Sequence, residues 1–133
     1  MYATGRRRRY VYNFQIYPHM PCYKYYINVN VFDTDSEMYG YYQKKEGMEK
    51  DFEAIYYDCV CEGNKIGEIL IHKKALTPKI ISHECGHATT RYLTRLCVNN
   101  KKRAIHDIEN DEFYCAVLGC LVGQFTKLAI INN

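Results

Sequence analysis

A His-Glu-x-x-His pattern at residues 83–87 constrains this chain more than any other feature of its sequence. Residues four apart lie on one face of a helix, so His83 and His87 can present both imidazoles to one point in space. The spacing is typical of a zinc site with two histidine ligands and a glutamate general base beside them. We therefore predict that His83 and His87 bind Zn²⁺ and that Glu84 is the catalytic base.

The residues around the pattern predict the helix that it requires. Thr77 can cap free backbone N–H groups, and Pro78 suits the first helical position, where no N–H is needed. Apolar residues then recur at helical spacing on the side away from the two histidines. They are Ile81, Cys85, Ala88, Tyr92 and Leu96. The sequence thus predicts an amphipathic helix from Pro78 to about Leu96.

A catalytic zinc ion needs a third protein ligand, and the motif does not supply it. The metzincin pattern would place a glycine and a third histidine at positions 90 and 93, but these are Thr90 and Leu93. The alternative is a glutamate from a following helix. Such a helix is predicted from around Asp107 or Asn110 to Leu128.

Three nearby carboxylates are candidates for that ligand. They are Glu109, Asp111 and Glu112. Glu112 begins a helical face of small residues, Ala116, Gly119 and Gly123, and small residues let two helices approach closely. We therefore predict Glu112 as the third ligand, with Glu109, one helical turn earlier, as the alternative.

The first half of the chain alternates apolar and polar residues, which predicts strands. One strand covers residues 10–16 and a second covers residues 23–31. Thr34 and Glu37 have the spacing of a capping box, so a short helix follows and ends near Gly47.

Two further strands are predicted before the motif helix. Residues 52–61 and 65–73 are rich in β-forming residues and meet across Glu62-Gly63-Asn64, which indicates a hairpin. The last helix has an apolar stripe of Phe113, Val117, Leu121, Phe125 and Leu128.

Length and composition indicate one soluble domain, residues 1–133, with a basic segment at residues 1–9. The seven cysteines are odd in number and several fall inside predicted elements, which favours reduced thiols over a disulfide framework. No signal-peptide pattern and no run of eighteen apolar residues occurs. We expect a cytoplasmic protein that is not secreted and has no membrane partner.

Four consecutive arginines, Arg6 to Arg9, concentrate positive charge near one end of the chain and are followed by aromatic residues. This pattern occurs in phosphate contact sites of nucleic-acid-binding proteins. It is more typical of a solvated terminal segment before an edge strand, which is the interpretation we favour. Nucleic-acid binding through these arginines is one alternative function.

The chain resembles a known family, the gluzincins, and in particular the small single-domain metallopeptidase-like proteins of bacteria and phages. The resemblance rests on residues 80–88 and, less specifically, on residues 111–119. It implies an α+β, zincin-like fold in which a small antiparallel sheet precedes the active-site helix and the glutamate helix, here in the order ββαββαα. It also implies a zinc-dependent metallopeptidase with a peptide or protein substrate, acting in the bacterium or the phage-infected host.

Two further expectations follow from the resemblance. The edge strand that commonly lies along the substrate cleft would be Lys65–Lys73, so a peptide would bind there as an added strand. A His or Tyr donor to the transition state has no clear match, and Tyr114 and His106 are the candidates.

A non-catalytic role is the main alternative. A zinc-binding module in a larger assembly, such as a virion or a toxin–antitoxin complex, would need the same three ligands but would cleave no peptide. The sequence indicates neither the substrate nor the oligomeric state.

Overall fold

A computed structural model describes residues 12–19, 23–47, 51–59, 63–99 and 111–132. These residues form an α+β domain with one four-stranded sheet and three long helices, in the predicted order ββαββαα. The elements are β1 (Tyr12–Ile16), β2 (Tyr26–Phe32), α1 (Asp35–Glu46), β3 (Ala54–Asp58), β4 (Lys65–His72), a short 3₁₀ turn (Lys73–Ala75), α2 (Pro78–Asn99) and α3 (Asp111–Asn132). Arg6–Arg9, His106 and Glu109 lie outside the described residues.

The sheet is mixed, so the expected antiparallel sheet is wrong in one of its strand pairs. The strand order is β1-β2-β4-β3, with β1/β2 and β3/β4 antiparallel and β2/β4 parallel. A parallel pair needs a long crossover connection, and here α1 and β3 supply it between β2 and β4. Residue alternation indicates which face a side chain occupies, but it does not indicate strand direction.

The strand β4 is central, which contradicts the expectation that Lys65–Lys73 forms the edge beside the cleft. It pairs with β2 on one side and with β3 on the other, and Ile66 to Ile71 are all buried. A nearly continuous apolar strand is typical of a position covered on both faces. The free edge on this side of the sheet is β3.

Helices cover both faces of the sheet. On one face, α2 and α3 bury a large apolar cluster that includes Ile69, Ile81 and Leu121. On the other face, α1 packs Met38 and Tyr42 against the strands. Side chains alternate along β3 accordingly: Ala54 and Tyr56 pack with the first cluster, and Ile55 and Tyr57 with the second. The sheet therefore fixes the position of α2 relative to β3.

Both predicted ends of α1 and the predicted start of α2 are confirmed, whereas α2 continues to Asn99 and α3 to Asn132, past the predicted Leu96 and Leu128. Thr34 and Glu37 form a reciprocal capping box, and α1 ends at Gly47, whose φ of 72° favours glycine. Thr77 accepts a hydrogen bond from the backbone N–H of Ile80, which caps α2. These local signals depend on neighbouring residues alone, so the sequence is sufficient to predict them.

The helix α3 packs through its predicted apolar stripe and not through its small-residue face. Val117, Leu121 and Phe125 are buried, whereas Ala116, Gly119 and Gly123 are exposed. A Cβ added at Gly119 or Gly123 would meet no atom within 4 Å. The expectation that the small face lies against another helix and brings Glu112 to it is therefore wrong: the larger apolar residues bury more surface.

Part of α3 is also long and apolar enough to cross a membrane. By length and composition, one span in the described residues, Glu112–Ile131, meets that criterion, with a mean hydropathy of 1.7. Its buried stripe accounts for some of this apolar character, because those residues line the core.

The aromatic ring of Tyr56 lies directly over Gly67 on the neighbouring strand. A Cβ at Gly67 would approach the ring to 2.6 Å at Cε1 and would overlap the hydroxyl oxygen. The Tyr56 hydroxyl donates a hydrogen bond to the backbone carbonyl of Ile66 at 3.3 Å. Because Gly67 has no side chain, the Tyr56 ring can pack against β4, and this contact fixes the position of β3 on β4.

We predict that Gly67→Ala destabilises the protein by about 1–3 kcal/mol, because the added methyl forces the Tyr56 ring from its site. Gly40→Ala is the matched control: no atom lies within 4 Å of its added Cβ on α1, and alanine there should stabilise by up to about 1 kcal/mol. The measurement is urea unfolding of both variants. Equal effects of the two substitutions would contradict the close approach.

A buried carboxylate, Glu68, organises the other face of the sheet. It accepts hydrogen bonds from Tyr57 at 2.8 Å and Asn30 at 3.1 Å, and it pairs with the ammonium group of Lys65. Burial alone would raise the pKa of Glu68, but the bonds from Lys65 and Tyr57 outweigh it and hold the pKa below its usual value. The charged form of Glu68 therefore stabilises the folded chain.

We expect Glu68→Gln to lower stability at neutral pH by about 1–3 kcal/mol, because it leaves the donors of a buried network without their charged acceptor. Since folding lowers this pKa, the wild-type advantage is complete above about pH 4.5 and is lost as pH falls through the folded-state value. Unfolding by urea from pH 7 to pH 3 measures this. Glu46→Gln, at an exposed position, is the control. A wild-type advantage independent of pH would contradict the assignment.

Candidate metal centre

The two histidines of the motif point to the same place on the exposed side of α2. Their Nε2 atoms lie 3.2 Å apart, and the side chain of His83 is 67 % exposed. Two nitrogens bound to one tetrahedral zinc ion at about 2.05 Å would be separated by about 3.3 Å. The observed separation is within hydrogen-bond distance for the two rings, and it also fits two ligands of one shared zinc ion.

Glu84 lies beside the histidines but on the side of α2 that faces the sheet. Its side chain is 7 % exposed, and its Oε2 is 4.0 Å from His83 Nε2. The backbone N–H of Tyr56 on β3 donates a hydrogen bond to this carboxylate. Burial raises the pKa of Glu84, although the two histidines and the Tyr56 N–H oppose the change. Glu84 is thus a fixed carboxylate with a raised proton affinity.

The register of β3 explains why Tyr56 can reach Glu84. The N–H of Cys59 donates to the carbonyl of Ile66 at 2.9 Å, so residues 55, 57 and 59 are those that bond to β4. The backbone groups of Ala54, Tyr56 and Asp58 consequently face the free edge. That edge runs beside α2.

A cleft of about 450 Å³ separates this edge from the helix. It is lined by residues 54–58 of β3 and by five residues of α2. The α2 residues are His83, Glu84, His87, Thr90 and Arg91. A second cavity of about 550 Å³ adjoins it and shares Ala54, His83 and Glu84. The motif therefore lies where two adjoining hollows meet beside one strand edge, an arrangement that suits an extended chain.

Cys85, inside the motif, belongs to the core. It is fully buried, and burial, with the charge of the adjacent Glu84, raises the pKa of its thiol to about 12. Its side chain packs in the apolar cluster beneath α2, whereas His83 and His87 are exposed, so Cys85 does not share their face of the helix.

Two arginines continue the motif face toward the C-terminal half of α2. Arg91 Nε lies 3.0 Å from Asp58 Oδ2, at the end of β3. Arg95 donates to the carbonyls of Cys59 at 2.9 Å and Gly63 at 3.1 Å, and so binds the chain on both sides of the β3–β4 connection. These contacts join α2 to the strand edge.

The predicted third ligand is not placed with the histidines. Glu112 lies in the first turn of α3 with its side chain exposed, and Glu109 lies outside the described residues. In the described parts of the chain, no three His, Cys, Asp or Glu side chains are grouped closely enough to hold a metal ion. The histidine pair and Glu84 are together, and the third ligand stays a prediction.

Tyr114, a candidate donor, is close to the motif helix. Its hydroxyl would lie 3.9 Å from a Cβ at Gly86, so the beginning of α3 is beside the motif. Tyr114 and Glu112 are two residues apart and point in nearly opposite directions around the helix axis. The other candidate, His106, lies outside the described residues.

Sequence reasoning missed three contributors to this site: the N–H of Tyr56, the carboxylate of Asp58 and the guanidinium of Arg91. Arg91 could have been found, because it follows His83 and His87 at the same four-residue spacing. The other two could not, since they depend on which strand forms the edge. Comparison with protein-family models, with curated proteins and with solved structures finds no match to this chain.

Proposed function

We propose that this protein is a zinc-dependent metallopeptidase with a zincin-like arrangement of strand edge and motif helix. One observation supports this above the others: two imidazole nitrogens 3.2 Å apart face a cleft in which a buried carboxylate is fixed beside them. A merely structural zinc site would have no need of the cleft or of Glu84, because structural sites are closed by four protein ligands.

His83 and His87 would hold the ion, and a carboxylate from the segment before or within the first turn of α3 would complete the set. Glu112 is our choice of ligand. Because no third such side chain is grouped with the two histidines in the described residues, binding by Glu112 would require the first turn of α3 to move or Glu112 to change side-chain conformation. When bound, zinc supplies Lewis-acid chemistry that polarises a carbonyl group and makes water more acidic.

Glu84 would transfer the proton. Its carboxylate is 7 % exposed and lies 4.0 Å from His83 Nε2, a position from which it can accept a proton from water and then donate it to the leaving amine. The hydrogen bond from the Tyr56 N–H would help to hold this carboxylate in place for the transfer. Tyr114, beside Gly86, is the candidate for stabilising the transition state from the α3 side.

The substrate would bind as a strand added to β3, in place of the β4 edge expected from the sequence. Backbone groups of Ala54 and Asp58 face the cleft on either side of Tyr56, and a peptide backbone can pair with them. Alternate side chains of the peptide would then point toward α2 and away from it.

We predict that Glu84→Gln keeps the metal but lowers cleavage by on the order of 10² to 10⁴, because the amide retains the shape and loses the base. His83→Ala should lose the metal and also the rise in melting temperature that added zinc gives the wild type. The measurements are zinc titration, thermal unfolding with and without zinc, and cleavage of a peptide library.

Glu46→Gln, an exposed carboxylate on α1, is the matched control and should behave as wild type. Unchanged cleavage in Glu84→Gln would mean that another site or a contaminant is responsible. Tight zinc binding with no cleavage of any peptide would favour the non-catalytic zinc-binding module.

The third ligand can be identified by comparing Glu109→Gln, Asp111→Asn and Glu112→Gln. We expect Glu112→Gln to weaken zinc affinity by more than the roughly 10- to 100-fold that loss of an outer-shell partner costs. The other two should bind zinc as wild type does. Competition with a chromogenic chelator measures the affinity. A large loss in Glu109→Gln or Asp111→Asn alone would reassign the ligand.

A further inference from the structure

Arg91 occupies the cleft at the end away from Ile80. It lines the 450 Å³ hollow together with His87, and its side chain is 50 % exposed. It follows His87 by four residues, so it lies about 6 Å farther along the axis of α2. An extended peptide rises about 3.3 Å per residue, so Arg91 lies roughly two residues along from His87.

The ion pair between Asp58 and Arg91 does not use the two terminal nitrogens of the guanidinium group. The contact is made through Nε, at 3.0 Å from Asp58 Oδ2. Among the described residues, this ion pair is the polar contact found for Arg91. The terminal nitrogens, Nη1 and Nη2, form the planar fork that suits a carboxylate.

Arg95 is an internal comparison, one helical turn farther on. Its Nη1 donates to the carbonyls of Gly63 and Lys65, and its Nη2 donates to that of Cys59. Arg95 therefore uses its fork to bind the protein's own backbone. Arg91, with the same side chain on the same helix face, lines the hollow, and its ion pair with Asp58 uses Nε and not the fork.

We infer that Arg91 is a specificity determinant that binds a carboxylate of the substrate, about two residues from the bond that is cut, while Asp58 positions it. This inference rests on the proposed function. The carboxylate can be the C-terminus of a peptide or the side chain of an acidic residue, because both present the same two oxygens to the fork.

The test uses the full-length, zinc-loaded Glu84→Gln protein, so that binding is measured without turnover. The probes are fluorescent peptides of one sequence in three forms: a free C-terminus, a C-terminal amide, and an amide with one internal Gln replaced by Glu at successive positions. We expect one acidic form to bind roughly 10- to 100-fold more tightly than the plain amide, the range expected for charge-assisted hydrogen bonds. The form that gains affinity identifies the source of the carboxylate.

Arg91→Met should abolish this preference and leave the affinity for the amide peptide nearly unchanged. Arg91→Lys should keep part of it, because lysine retains the charge but not the fork. Asp58→Asn should weaken the preference without removing it. Lys127→Met, an exposed cation on α3, is the charge-matched control and should keep the full preference. Melting temperatures show whether each variant is folded.

Equal binding of all three peptide forms, or no binding of any, contradicts the inference. It is also contradicted if Arg91→Met weakens acidic and amide peptides equally, because that pattern indicates a structural role. The proposed hydrolysis is tested separately. If the wild-type protein prefers the acidic peptide but does not cleave it, the Arg91 inference stands and the proposed peptidase activity is wrong. If the wild-type protein cleaves peptides without an acidic preference, the peptidase activity stands and the Arg91 inference is wrong.

Discussion

The hydrogen bond from the backbone N–H of Tyr56 to the Glu84 carboxylate joins the edge of the sheet to the helix with both histidines. A carboxylate that is 7 % exposed needs a donor, because its burial without one is costly. Tyr56 can supply its backbone N–H because, among the described residues, no strand pairs with that side of β3. The edge position of β3 therefore allows alternate N–H groups of this strand to face α2.

The topology of the sheet provides this free edge. Strand β4 lies in the centre of the sheet, parallel to β2, so its hairpin partner β3 is the outermost strand and lies beside α2. The Tyr56 ring packs over Gly67 and so fixes β3 against β4. Arg95 of α2 binds carbonyl groups of the hairpin and so fixes the hairpin against α2. The apolar back of α2 and the stripe of α3 provide the packing against which the histidine face is held.

Much of this could be predicted where the physics is local. The motif spacing, the Thr34 and Thr77 caps and the apolar side of α2 depend on residues within a few positions of one another, and all are present. The parallel pairing of β2 with β4 could not be predicted by alternation, which contains no information on strand direction. The uninterrupted apolar run Ile69-Leu70-Ile71 was the available signal in the sequence that β4 is central.

The small-residue face of α3 illustrates a different failure. The small residues Ala116, Gly119 and Gly123 permit close helix approach but bury little apolar surface. The larger Val117, Leu121 and Phe125 bury more, so they decide which face of α3 packs against the core. Glu112 is exposed as a result. Arg91 was overlooked because the motif pattern ends at His87, although the same helix face continues.

The central claim is that His83 and His87 share one zinc ion in front of Glu84. The most direct measurement is anomalous diffraction at the zinc absorption edge from crystals of the zinc-loaded protein. We expect a single peak about 2.0–2.1 Å from Nε2 of both histidines, with a carboxylate as third ligand and Glu84 outside the coordination shell. A peak coordinated by Glu84 itself, or zinc bound away from the two imidazoles, would contradict it.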